Sequence, residues 1–296
     1  MNTLPLPLVE TVVGPTPGPT LTISILMHGD EVCGLAARDF LLGPELRLKR
    51  GRVHVATLNR EACEADGGPR RFVNADLNRL WGDQELPDSY EGKRIAEIRP
   101  LFLQSDAILD IHSMPEDAAT FSLVSEERPA SLAVARLLCP AISRIVVAPA
   151  PANRGRALFQ TTRLPLSVPI VVVECGKHGS SESDVTARAA VAALLAGFDM
   201  LETKDAAASL PESRYYRIER EHKSEHGDVS FIGAIDQFDP LPTDRPFAFD
   251  GTNPILAKPG QSLLLKRPTR KPGDEAFALV RELTADEIST LFSLHL

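Results

Sequence analysis

Apolar residues along the chain fall into short unbroken runs, separated by longer stretches in which they recur every three or four positions. Residues 21–27 (LTISILM) make the first run, with the β-branched content of a strand buried inside a sheet, and it breaks at His28-Gly29-Asp30-Glu31. The pattern then predicts a helix over 32–42, closed by Gly43-Pro44, and a second strand over 53–58 (VHVATL). Residues 59–69 are polar, a loop long enough to carry function. A helix over 91–104 precedes a third strand, 107–111, which runs into His112-Ser113. Strands at 121–124 and 145–148 flank a helix at 131–138. After an irregular, proline-containing stretch at 149–169, the most strand-like run of the chain (PIVVV, 169–173) ends at Glu174-Cys175-Gly176. A long helix over 180–201 follows, with serines at its start and Ala, Val and Leu along one face. This alternation implies an α/β fold whose mixed, mostly parallel sheet is flanked by helices.

The pattern changes after residue 201. Residues 202–213 (ETKDAAASLPES) read as a linker, and 215–268 as short alternating segments rich in Pro, Gly and Asp, the mark of a small C-terminal β domain. Thr284-x-x-Glu287 forms a capping box, with Ile288, Leu291 and Phe292 on one helical face. The expected organisation is an α/β domain at 1–205, a small β domain at 206–268, and a tail at 269–296 whose helix packs back. The first twenty residues, rich in Pro and Gly, read as a strand-like lead-in and a loop.

Composition narrows the class. The 296 residues are 43% hydrophobic and 24% charged, as in soluble globular proteins, and the net charge of −8 argues against a nucleic-acid binder. No apolar run reaches the length of a membrane span, and no basic segment precedes an apolar one at the N-terminus. The four cysteines are scattered with no CxxC, so free thiols are expected. A cytoplasmic enzyme, without nucleic-acid or membrane partners, fits these features.

In open α/β sheets ligands bind beyond the carboxyl ends of the strands, and three marked sites fall at such ends: His28 with Glu31, His112, and Glu174. Imidazole and carboxylate are ordinary zinc ligands, and His28 and Glu31, three apart on a turn entering a helix, project to one side. His112 is the natural third ligand, with Asp110 on the same face two residues back. Asn78 and Arg79 offer an amide and a forked guanidinium, a carboxylate clamp, and Arg71 could polarise a carbonyl. Taken singly, each has a plainer reading: a surface ion pair, a strand-end histidine, a solvated basic loop. His178 reads as a loop histidine near the pocket. His222 and His226, four apart in the charged run REHKSEH, read as a solvated face. Cys175 has no evident base partner.

Together, His28-Gly-Asp-Glu31, Arg71 with Asp76-Leu-Asn-Arg79, Asp110-Ile-His112 and Glu174-Cys-Gly resemble, in that order, the succinylglutamate desuccinylase/aspartoacylase family, relatives of the zinc carboxypeptidases. The resemblance spans residue 21 to about residue 200, and it implies a carboxypeptidase-like fold with one Zn2+ per chain held by His28, Glu31 and His112. It makes Glu174 the base that activates the zinc-bound water, Arg71 the group assisting the carbonyl, and Asn78 with Arg79 the substrate-carboxylate site. Arg163, or next Arg156, stands for the arginine that precedes the catalytic Glu in aspartoacylases. The chain departs from the family in Asp30, where Asn is common, and it has no tyrosine after Tyr216.

The expected activity is a zinc-dependent amidohydrolase or deacylase that cleaves a carbon–nitrogen bond, other than a peptide bond, in a small anionic N-acyl amino acid. A metallocarboxypeptidase and a catalytically silent binding protein of the same fold are the alternatives. The resemblance allows a homodimer.

Overall fold

The computed structural model describes residues 6–82, 85–116, 118–150, 157–202 and 212–293. The chain divides into two compact units, Met1–Ile145 with Ala150–Ser213, and Val146–Pro149 with Arg214–Leu294.

In the first unit the elements run β1 (Val9–Val13), β2 (Thr20–Ile25), α1 (Cys33–Leu42), β3 (Arg52–Thr57), α2 (Arg60–Cys63), α3 (Tyr90–Phe102), β4 (Ala107–Met114), β5 (Phe121–Ser125) and α4 (Pro129–Leu137). After β6 (Arg144–Ala148), whose last residues belong to the second unit, come β7 (Ile170–Lys177) and α5 (Ser181–Gly197). The strand order is β1-β3-β2-β4-β7-β5. Pairing is parallel across β3-β2-β4-β7, and β1 and β5 join antiparallel. The mixed, mostly parallel sheet is therefore the one the alternation predicts. β4 is buried along its whole length and β7 up to its last residue, because helices cover the sheet. α1 packs on α5, and α5 on β7. Ser89 and Ser180 cap α3 and α5 by accepting the N–H of Gly92 and Ser183.

Two stretches expected to be irregular carry short structure. Residues 59–69 contain α2, and 149–169 contain a 3-10 turn at Leu158–Gln160. The linker expected at 202–213 lies largely outside the described residues, as does Arg156.

The second unit contains β8 (Arg214–Lys223), β9 (Val229–Phe231), β10 (Ala248–Asp250), β11 (Asn253–Ile255), β12 (Gln261–Leu264), β13 (Glu275–Glu282) and α6 (Ala285–Ser293). β13 lies between β8 and β12, antiparallel to both, and β9, β10 and β11 form a separate antiparallel sheet. Phe247, Ile255, Leu263, Phe277 and Leu279 build its own core. The stretch 269–296, expected to add a helix, also supplies this middle strand. Thr284 and Glu287 form the reciprocal capping box, with Thr284 N–H on Glu287 Oε2 (2.8 Å) and Glu287 N–H on Thr284 Oγ1 (3.3 Å). In the run 220–226, Arg220, Glu221, Lys223, Glu225 and His226 are exposed, as a solvated face requires, but His222 is half-buried: its ring stacks on Phe277, 4.8 Å between centroids, and lies 3.2 Å from Asp250.

Candidate active site

The turn after β2 is built under constraint. Leu26 is fully buried with φ at +54°, a left-handed conformation that costs a branched side chain about 1–3 kcal/mol. Neighbouring backbone holds it there: Leu58 N–H donates to Ile25 O (3.0 Å), Asn59 N–H to Leu26 O (2.8 Å), and the Asn59 side-chain amide to Met27 O (2.8 Å). Gly29 follows because a Cβ there would lie 2.5 Å from Cys63 N and 2.6 Å from Arg70 O. Glu31 N–H then bonds back to His28 O (3.2 Å), which sets the two side chains together.

His28, Glu31 and His112 are all buried, and each offers a ligand atom within 4.8 Å of the others. The two rings address one carboxylate. His28 Nδ1 is 2.7 Å from Glu31 Oε1, and His112 Nδ1 is 2.8 Å from Glu31 Oε2. The outer ring nitrogens each meet a second carboxylate: His28 Nε2 stands 3.1 Å from Asp76, and His112 Nε2 2.8 Å from Asp110. Carboxylates behind both imidazoles orient them and leave both Nδ1 atoms facing inward, the arrangement that supports a metal-ligating histidine. Two nitrogens and a carboxylate oxygen, dry and convergent, fit a divalent transition ion.

The electrostatics follow from this packing. Burial works against charge on His112, but Asp110 and Glu31 outweigh it and hold its pKa well above the ordinary value; His28 is raised in the same way by Glu31 and Asp76. Burial would raise Glu31, yet the two imidazoles carry it well below the usual carboxylate range. Asp76 is likewise desolvated and still held low by His28 and Arg71. In a dry site these groups stabilise one another only as a set.

Glu174 is buried and pairs with His112 across the parallel β4–β7 ladder, so both side chains leave the same face of the sheet. Just beyond it, the register moves from His112↔Glu174 to Met114↔Lys177, a bulge through Gly176 (φ +105°) that redirects the end of β7. Arg71 binds Asp76 Oδ2 through Nε and NH2 (3.2 and 3.0 Å) and reaches within 3.8 Å of Glu31. Asn78 is engaged in the protein frame, its N–H on Asp76 Oδ1 (2.9 Å) and its side-chain oxygen accepting from Leu158 N–H (3.0 Å). Arg79 donates to Asn78 O (3.2 Å), and its charge acts on Asp76. The structure thus gathers His28, Glu31, His112 and Arg71, sets Glu174 beside His112, and seats Asn78 and Arg79 next to Asp76. Arg163 has its N–H on Thr161 Oγ1 and its charge bears on Arg99 of α3, with no hydrogen bond or ion pair to the cluster among the described residues.

The sequence reading left several supporting groups without a role. Asp76 fastens His28 and Arg71 together. Glu91, fully buried on α3, accepts the N–H groups of Val73, Asn74 and Ala75 (2.7–3.3 Å) and so holds the loop leading into Asp76. Asp76 lies within the Asp76-Leu-Asn-Arg79 motif, which does not say what it binds, and Glu91 has no local pattern that marks it. His178, read as a loop histidine, stands beside Asp30 and Glu31, with Nδ1 2.7 Å from Ser113 Oγ.

Comparison with known proteins follows the same lines. The model of the succinylglutamate desuccinylase/aspartoacylase catalytic domain matches residues 17–197. Among solved structures, a succinylglutamate desuccinalase from Vibrio parahaemolyticus superposes with a TM-score of 0.73 at 18% identity, over 93% of this chain and 86% of that one. A succinylglutamate desuccinylase from Vibrio cholerae gives 0.72 at 19%, over 92% and 84%. The product-bound ectoine utilization protein EutE (DoeB) from Ruegeria pomeroyi gives 0.68 at 18%, over 93% and 88%. At these identities the superpositions speak for the fold. No curated protein sequence matches the chain.

Proposed function

The chain belongs to the succinylglutamate desuccinylase/aspartoacylase family, and from that premise we propose that it is a zinc-dependent hydrolase cleaving the amide of a small anionic N-acyl amino acid. The observation that carries this reading is the convergence of His28 Nδ1 and His112 Nδ1 on Glu31, each ring backed by its own carboxylate. These three residues would hold zinc, which when bound supplies a Lewis acid that acidifies water and polarises a carbonyl.

Glu174 takes the proton of the attacking water and returns it to the leaving nitrogen, so one carboxylate serves as base and then as acid. A C–O bond forms, the C–N bond breaks, and a free acid and an amine leave. Arg71, held in place by Asp76, donates to the oxygen on which negative charge develops. Arg79 supplies the cation for the substrate carboxylate. Asn78, already bonded to Leu158, positions that segment and offers its amide N–H groups. Among the described residues no helix is long and apolar enough to cross a membrane.

The test is amine release across a panel of N-acyl amino acids and short peptides. Hydrolysis of an acyl amino acid that falls about 10²–10⁴-fold in Glu174→Gln, with zinc still bound, is the expected result. Cleavage of peptide C-termini instead would make the protein a carboxypeptidase. Full zinc occupancy in His112→Ala would overturn the ligand assignment.

A further inference from the structure

We propose that this chain binds a second divalent cation beside the first, held by Asp30, the shared carboxylate of Glu31, and His178. The inference rests on the zinc reading above and adds a site to it. Asp30, Glu31 and His178 each offer a ligand atom within 4.8 Å of the others, a separate grouping from His28, Glu31 and His112 that meets it only at Glu31. A carboxylate with two oxygens can bridge two ions a few ångströms apart, the geometry of two-metal hydrolase sites.

Two features make this more than proximity. Asp30 Oδ1 is shielded from solvent and has no hydrogen-bond partner among the described residues, a costly state for a carboxylate oxygen unless a cation meets it. His178 is held in place from two sides: its backbone N–H donates to Met114 O (2.7 Å), and Nδ1 lies 2.7 Å from Ser113 Oγ. With Nδ1–H donating to that hydroxyl, Nε2 presents its lone pair, and the hydroxyl does for this ring what Asp110 does for His112. Two carboxylates and an imidazole suit Zn2+, Co2+ or Mn2+.

The experiment is metal stoichiometry on the metal-free full chain, titrated with Zn2+ and counted by mass spectrometry after gel filtration, then repeated with Co2+ read by its visible absorption. Wild type is expected to hold two equivalents, the second altering the spectrum of the first through the shared carboxylate. Asp30→Asn and His178→Ala are each expected to hold one. A single equivalent in wild type, or a second equivalent that survives in His178→Ala, overturns the proposal. His112→Ala separates the two readings: retention of both equivalents there would break the first site's assignment, whereas the second site is decided by His178→Ala alone.

Discussion

Gly29 shows how narrowly the turn carrying His28 and Glu31 is specified. The place of its missing side chain is taken by backbone of residues 62, 63 and 70, which cannot retreat as a flexible side chain would. Gly29→Ala is therefore expected to spread that turn, separate His28 from Glu31, and abolish stoichiometric zinc binding in a chain that still shows α/β circular dichroism. Zinc analysis on the purified variant checks it, and normal occupancy would mean that the turn gives way more cheaply than the packing implies. Asp76 carries a different load, since one carboxylate serves His28 Nε2, Arg71 and the Asn78 N–H. Asp76→Asn keeps the shape but turns an N–H towards either the ring or the guanidinium. Zinc affinity should drop about 10–100-fold, the usual cost of losing a carboxylate behind a metal-bound imidazole, measured by competition with a chelator. The proposed ligands His28 and His112 were legible in the sequence because each ends an apolar run. Asp76 stood inside a recognisable motif, yet its partners come from 48 and 5 residues away, and spacing alone could not assign them.

At the level of elements, the sheet was readable and its supports were not. β2, β4 and β7 declare themselves as apolar β-branched runs because both faces of the sheet are covered. β13 (EAFALVRE) is built largely from good helix formers and becomes a strand only by pairing with β8 and β12, so tertiary context overrides its propensity. Two buried charged residues do comparable work on loops. Arg128 donates to the carbonyls of Thr161, Leu164, Pro165 and Val168, while burial lowers its pKa to about 10. Glu91 collects the three N–H groups ahead of Asp76. In a sequence, both look like surface residues of helical segments. Glu91→Ala removes the acceptor shared by three part-buried N–H groups and should cost about 1–3 kcal/mol, seen as a lowered denaturation midpoint. Because the loop it holds carries Asp76 and Arg79, the variant should also lose substrate affinity in steady-state kinetics, and Glu91→Gln should recover part of both.

For the whole molecule, the chain is two units with separate cores, and they can be followed by different probes. The single tryptophan, Trp81, is fully buried in the first unit and stacked on Phe102, 5.3 Å between centroids. The second unit is tied together at Asp250 of β10, which accepts from the Ser224 hydroxyl (2.8 Å) and from the N–H groups of Glu225 and His226 (2.7 and 3.2 Å). Burial would raise its carboxyl, but these donors win and hold it at about 2, below the roughly 3.9 of an unfolded aspartate. The sign follows from linkage: a depressed folded pKa contributes stability that is fully present above the unfolded value and is lost as pH falls through the folded one. Asp250→Asn should therefore weaken amide protection in β9 and β10 most at neutral pH. The gap from wild type should narrow below about pH 4 and close near pH 2, where the aspartate itself is protonated. Hydrogen exchange across that range measures it, with Trp81 fluorescence at neutral pH expected to match wild type. A gap that stayed constant down to pH 2 would mean that the Asp250 bonds act through shape and not through charge, and that the second unit's acid sensitivity lies in other carboxylates.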